Sequence, residues 1–294
     1  EINQHFDVEE GAEITLEANP DDLDLDFLKS LRQTPVNRLS IGIQSFNDKA
    51  LTWMNRSHNS AQAIQAVEEA RNVGFDNLTA DLILGIPNQS PESWEQNLQQ
   101  FIEWDLPHVS VYALAVEEKT ALSHQLKQGK VMLPSDAIFE QQFLQTHEWL
   151  TKVGYEHYEL SSYAKAGYKA QHNSSYWDFR PYLGIGPSAH SFDGGSRSWN
   201  IANNAFYMKQ LQHGQLAIQE EEALEDDDRY HEYLMTQLRK REGISVAKIE
   251  ANFRPQWRQE HKVALEQWLS SGRLVLDGDL PYFFYTIEDQ TNIF

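Results

Sequence analysis

Along the first half of the chain, short apolar runs alternate with longer stretches whose apolar positions recur at helical spacing. Residues 12–20 (AEITLEANP) read as a short strand, and 24–34 (DLDFLKSLRQT) as a helix carrying Leu23, Phe27, Leu28 and Leu31 on one face. A second strand is expected over 37–46 (NRLSIGIQSF), then one long helical region running to residue 75. A third strand spans 78–87 (LTADLILGIP). The helix after it covers 90–105, with Ser90 as N-cap and Pro91 in the first turn. Residues 108–117 (HVSVYALAVE) form a fourth strand. Strands and helices alternating in this way predict β/α units on a parallel sheet. Periodicity leaves open whether that sheet closes.

Past residue 120 the pattern changes. A helix over 134–153 leads into GYEHYELSSYAKAGY, a strand and then a loop. HNSSYW (172–177) and YLGIGPSAH (182–190) read as loop, rich in aromatics and glycine. From 220 onward the pattern is helical in three segments, and two β-runs around DGDLP close the chain as a hairpin. Helices followed by a hairpin predict a small winged-helix-like unit. The domains expected are 1–165 and 166–294.

With 294 residues, 40% of them hydrophobic, the chain can bury a large core. It has no run of about 18 apolar residues, which argues against a membrane-spanning helix. No basic, apolar leader opens it, so a cytoplasmic protein is expected. A net charge of −20 argues against nucleic acid as a partner. The cysteine count is zero, which removes disulfides, thiolate catalysis and thiolate-held clusters from these residues. The opening EINQHFDVEEG reads as the tail of a helix, and a preceding piece is expected.

In a parallel β/α array, side chains at the C-terminal strand ends face the ligand. Glu17, Gln44, Asp81 and Glu117 fall at or near such ends, a set suited to a ligand with an amine and vicinal hydroxyls. Arg56 adds a cation for a carboxylate. The same residues also serve as helix caps, and position alone does not choose. Gly85 and Pro87 read as turn chemistry, whereas Gly184 and Gly186 are open to a close backbone approach by a flat ligand. No zinc spacing of the H-E-x-x-H kind occurs. His172 and His190 stand among Tyr176, Trp177, Tyr182 and Phe192. That setting suits a flat ligand with iron, and equally a plain aromatic minicore.

The series LEANP, RLSIGIQSF, NR, DLILGIP, SVYALAVE, GYEHYELSSYA, HNSSYW, YLGIGPSAHSF and LRKREGI resembles, in order and spacing, the radical S-adenosylmethionine (SAM) family. More narrowly it is similar to the oxygen-independent coproporphyrinogen III oxidase-like proteins of the haem chaperone type. The resemblance implies an α/β fold: a partial (β/α)6 TIM-like barrel, its first β/α units absent, with a smaller, mainly helical C-terminal domain ending in a β-hairpin. It implies that Glu17, Gln44, Arg56 and Asp81 contact SAM, with the Ala113 backbone meeting the adenine. Gln44 and Asp81 would take the ribose hydroxyls, Glu17 and Arg56 the charged groups of the methionine part. The family's C-x-x-x-C-x-x-C loop, which holds a 4Fe–4S cluster, and its GGGTP segment are not in this sequence.

Within the family, HNSSYW matches a signature associated with haem, implicating His172, Asn173, Tyr176 and Trp177, with His172 as the candidate iron ligand. The implied partners are haem, acceptor proteins that receive it, and an electron donor for the cluster. A homodimer stays open. No catalytic residue is assigned in these 294 residues. The alternative is an oxidase that decarboxylates two propionates of coproporphyrinogen III. A third reading, a DNA-binding winged helix, lacks a basic recognition helix in PQWRQEHKVALEQW.

Overall fold

The computed structural model describes residues 2–271, 274–277 and 280–285. Two compact units divide in sequence between Lys169 and Ala170. In the first, strands β1 (Thr15–Ala18), β2 (Arg38–Gln44), β3 (Leu78–Leu84) and β4 (His108–Ala113) lie parallel and adjacent in that order. Helices α1 (Ile2–His5), α2 (Leu25–Leu31), α3 (Asp48–Trp53), α4 (Ser60–Asn72), α5 (Pro91–Trp104), α6 (Ala121–Lys127) and α7 (Asp136–Lys152) complete it with strands β5 (Glu156–Glu159) and β6 (Ser162–Ala164). The sheet is mixed: β6 runs antiparallel to β4 and to β5. Only Leu160 and Ser161 separate β5 from β6, too short a link for the crossover that a parallel pair requires.

The four expected strands are all present, and Ser90 caps α5 by accepting from the Ser93 backbone N–H. The single long helix expected after β2 is instead α3 and α4. Asn55 adopts a left-handed φ of 56° after α3, and Asn59 opens α4 with a capping box to Gln62. Gly85 behaves as turn chemistry: its φ is 77°, and a Cβ there would stand 1.9 Å from the Phe139 ring.

The sequence RLSIGIQ alternates, and so does its burial environment. Leu39, Ile41 and Ile43 share one sheet face with Leu78, Ala80, Leu82, Leu84, Val109 and Val111, all buried. The helices supply apolar partners such as Val67, Trp94, Leu98 and Phe101. The opposite face is polar and nonetheless buried, and one chain of hydrogen bonds crosses it. Arg38 Nη2 donates to Thr79 Oγ1, Thr79 Oγ1 and His108 Nδ1 share a hydrogen bond at 3.2 Å, and His108 Nε2 and the Tyr158 hydroxyl share another at 2.8 Å. The guanidinium only donates, so Thr79 Oγ1 is the acceptor of that bond. Burial, and secondarily the Arg38 charge, push the His108 pKa down to about 3, which keeps the ring neutral.

The second unit contains α8 (Gln171–Trp177), β7 (His190–Phe192), β8 (Ser196–Asn200), α9 (Asn204–Gln212), β9 (Ile218–Ala223), α10 (Asp226–Leu238), β10 (Ile244–Ser245), α11 (Val246–Asn252), α12 (Trp257–Glu260), α13 (Lys262–Ser270), β11 (Leu274–Asp277) and β12 (Leu280–Tyr285). Two elements differ from expectation. HNSSYW is helix, not loop: Ser174 Oγ and Ser175 Oγ bond back to the carbonyls of Ala170 and Gln171. The start of the segment expected as helix is strand β9, closing a three-stranded sheet with β7 and β8. Arg197 on β8 stands opposite Glu222 on β9 in register, while its guanidinium pairs with Glu232 of α10. The terminal hairpin forms as expected, and β10 pairs with β12. A separate apolar cluster of Tyr230, Ile244, Val246, Ile249, Trp257 and Leu265 holds the helical end together.

Thr79→Val keeps the shape but removes the hydroxyl that Arg38 and His108 share. Leaving both buried groups unpaired should cost roughly 2–4 kcal/mol in urea unfolding followed by circular dichroism. Thr79→Ser should retain most of the stability. Equal losses for Val and Ser would mean that packing, not the hydroxyl, matters there.

Candidate functional site

In the first unit, the polar face rises from the buried chain to a carboxylate layer. Glu17, exposed on β1, pairs in register with Ser40. Ser40 Oγ donates to Asp81 Oδ2 at 3.0 Å, and Ser110, in register with Asp81, also hydrogen-bonds to its carboxylate. Asp81 lies in the middle of β3, not at its end as the sequence suggested. Its second oxygen, Oδ1, is buried without a hydrogen-bond partner among the described residues. Burial raises the Asp81 pKa to about 6; the two serine hydrogen bonds and Arg38 oppose the rise, and the Glu17 charge adds to it.

Gln44 is the last residue of β2, and it follows a register shift in the pairing with β3. Its φ of 65° is left-handed, a strain of order 1 kcal/mol for a residue with a Cβ. A Cβ on Gly42 would stand 2.8 Å from Gln44 Nε2 and 3.3 Å from Arg56 Nη2, so the glycine makes room for both side chains. Arg56 Nη2 donates to Asn19 Oδ1 (2.6 Å) and to the Gly42 carbonyl (3.3 Å). His58 holds the Arg56 loop to β2, its buried Nε2–H donating to the Ile43 carbonyl at 3.0 Å. Burial lowers the His58 pKa, so the ring stays neutral.

Ala113 ends β4 beside Leu84. Glu117 lies four positions further, exposed, in the turn before α6, where its carbonyl accepts from Thr120. The structure therefore brings Glu17, Asp81, Gln44 and Arg56 to one face of one sheet, adds Ser40, Ser110 and Asn19, and leaves Glu117 apart. The added residues lacked a signal of their own. Ser40 alone was readable, as the inward position next to the apolar residues of RLSIGIQ.

The second unit holds an open cavity of about 470 Å³, within the range of small-molecule sites. Tyr176 and Trp177 enter it from α8, Tyr182 and Phe192 from a two-stranded bridge, His190 from β7, and Met235 from α10. Tyr176 meets Tyr182 edge-on at 4.7 Å between centroids, and Phe179 meets Phe192 at 5.2 Å. Arg239 covers the Trp177 ring at 4.3 Å, while the indole Nε1 is buried with no hydrogen-bond partner among the described residues. His172 does not line this cavity. Its Nε2 bonds to the Tyr176 hydroxyl at 2.9 Å, one helical turn away. The space at Gly184 is taken by the chain itself: a Cβ there would stand 2.1 Å from the His190 carbonyl oxygen.

Among the described residues no group of three or more His, Asp or Glu side chains is placed to hold a metal ion, and none of the 294 residues is cysteine. These residues therefore do not fit a 4Fe–4S cluster, which needs thiolates. No helix among the described residues is long and apolar enough to cross a membrane.

The radical SAM superfamily profile matches residues 2–101, and the HemN C-terminal domain profile matches 224–280. A heme chaperone HemW from Lactococcus lactis is 34% identical over 253 residues, 86% of this chain and 66% of that protein. The Haemophilus influenzae HemW is 42% identical over 190 residues, 65% of this chain and 49% of that one. The Escherichia coli HemW is 41% identical over 179 residues, 61% and 46% of the two chains. The chain thus spans from 46% to 66% of the length of these curated relatives. The solved coproporphyrinogen III oxidase HemN from Escherichia coli superposes with a TM-score of 0.78 over 99% of this chain and 70% of that one, at 24% identity, which establishes the fold. The four parallel strands, the polar layer they carry and these matches lead to one conclusion: the chain belongs to the radical SAM superfamily, in the branch that carries a HemN-type C-terminal domain.

Proposed function

We propose that this chain is the SAM- and haem-binding part of a haem chaperone, delivering haem to acceptor proteins in the cytoplasm. The observation that carries the reading is the α8 helix. The HNSSYW residues, which resemble a haem-associated signature, also build the aromatic wall of the 470 Å³ cavity through Tyr176 and Trp177. Enclosing haem between aromatic faces removes its apolar rim from water and limits its partition into membranes. The oxidase alternative is supported by fold likeness alone.

In the first unit, the polar layer is the proposed SAM site. Asp81 Oδ1, buried and unpartnered, suits a ribose hydroxyl, which would donate the hydrogen bond that the oxygen lacks. Gln44 would hold the neighbouring hydroxyl, Arg56 the methionine carboxylate, and Glu17 the amine, with the Ala113 backbone beside the adenine. SAM supplies a sulfonium that yields a carbon radical when reduced.

Two measurements test these assignments. Titrating the chain with ferric haem should give a saturable absorption change at one haem per chain. Trp177→Ala should weaken binding at least tenfold with the far-UV circular dichroism unchanged; no saturable binding by the unaltered chain would sink the haem reading. For Asp81 the sign follows from its raised pKa. The unfolded carboxyl ionises near pH 4 and the folded one near 6, so folding stability falls as pH rises through this window. Asp81→Asn should therefore stabilise the ligand-free chain at pH 7, by on the order of 2 kcal/mol, and leave it little changed near pH 4. The same substitution should weaken SAM binding in the cluster-bearing protein. A stabilised variant with unaltered SAM affinity would remove Asp81 from the site.

A further inference from the structure

The haem-binding reading leaves open which atom meets the iron, and the unit-two cavity answers by what its donors are already doing. Tyr176 spends its hydroxyl on His172, and His172 spends Nε2 on Tyr176, outside the cavity wall. The Tyr182 phenol hydrogen-bonds to Arg197. The Glu232 carboxylate takes Arg197 in a two-pronged ion pair, at 2.8 and 2.9 Å. The Thr236 hydroxyl donates to the Glu232 carbonyl at 3.0 Å. Two donors that can bind iron remain. The His190 imidazole makes no hydrogen bond among the described residues, and the Met235 thioether is 70% exposed.

We propose that His190 is the haem-iron ligand of this cavity, with the Met235 sulfur as the second axial donor, and that His172 only braces the wall. The proposal rests on the haem-binding reading above.

The backbone around His190 is built to hold its place. Tyr182 and Phe192 exchange both backbone hydrogen bonds, at 2.8 and 2.9 Å, and Gly184 packs against the His190 carbonyl without room for a side chain. Asn200 Nδ2 ties down the carbonyls of Gly184 and Gly186. The imidazole itself lies 5.7 Å from the Trp199 ring. The backbone is thus held in place while the exposed imidazole keeps both ring nitrogens available to a ligand. Met235, on a solvent-facing helix position, is a soft and weaker donor that an acceptor protein can displace. The propionates find donors in the same wall. Arg180 is largely exposed, with Asp178 4.0 Å away, and Trp177 Nε1 has a proton with no acceptor among the described residues.

The test uses the full chain loaded with ferric haem. His190→Gly should lose the low-spin absorption and paramagnetic-resonance signature and bind haem at least tenfold more weakly. Added imidazole should restore the low-spin signature in that variant, which a purely structural role for His190 would not permit. Met235→Leu should keep tight binding while losing the near-infrared band of thioether-ligated ferric haem and lowering the reduction potential. His172→Ala should keep the low-spin signature. The proposal is overturned if His172→Ala abolishes that signature while His190→Gly retains it. An unchanged spectrum in Met235→Leu removes the sulfur from the assignment. Absence of haem binding by the unaltered chain would instead remove the haem reading itself.

Discussion

The buried run of hydrogen bonds from Arg38 through Thr79 and His108 to Tyr158 is the constraint on which the first unit rests. A sheet whose inner face must present polar groups to a ligand has to bury other polar groups beneath it. Each of those costs several kcal/mol unless paired. Here Thr79, His108 and Tyr158 are linked in turn and Arg38 Nη2 binds Thr79, while Glu13 lies 3.9 Å from the Arg38 guanidinium, whose Nε has no hydrogen-bond partner among the described residues. In the layer above, Ser40 donates to one Asp81 oxygen, and the other has no hydrogen-bond partner among the described residues. A buried carboxylate oxygen without a donor suits a ligand that brings one.

The two residues nearest the sheet rim show the same logic in the backbone. Gln44 accepts a left-handed conformation and Gly42 gives up a side chain, and both concessions serve the placement of Gln44 and Arg56. Neither concession helps folding. Strained positions persist where surrounding structure over-determines them, and here His58, locked neutral against the Ile43 carbonyl, fixes the loop that delivers Arg56.

How much of this was legible follows from how each element is stabilised. Strands β1 to β4 and helix α5 declare themselves because apolar periodicity is what buries them, and Ser90 and Pro91 mark the start of α5 directly. Asp81 was readable as a candidate but misplaced along its strand, since the edge of a buried run does not locate its end. Helix α8 was hidden because Asn, Ser and Tyr are poor helix formers, and what stabilises it is local: two serine back-bonds and the His172–Tyr176 pair. Strand β9 was hidden because all six of its residues are exposed, with no apolar alternation to read. Met235 offered no signal at all: only the fold brings α10 to the wall that α8 and β7 share.

That wall depends in turn on the ion pair between Arg197 and Glu232. Both side chains are about three-quarters buried, and the two-pronged geometry fixes β8 against α10. The pairing also settles the electrostatics of the cavity. Arg197 stacks 5.6 Å over the Phe192 ring with its charge already matched by Glu232, so it contributes shape and little net field.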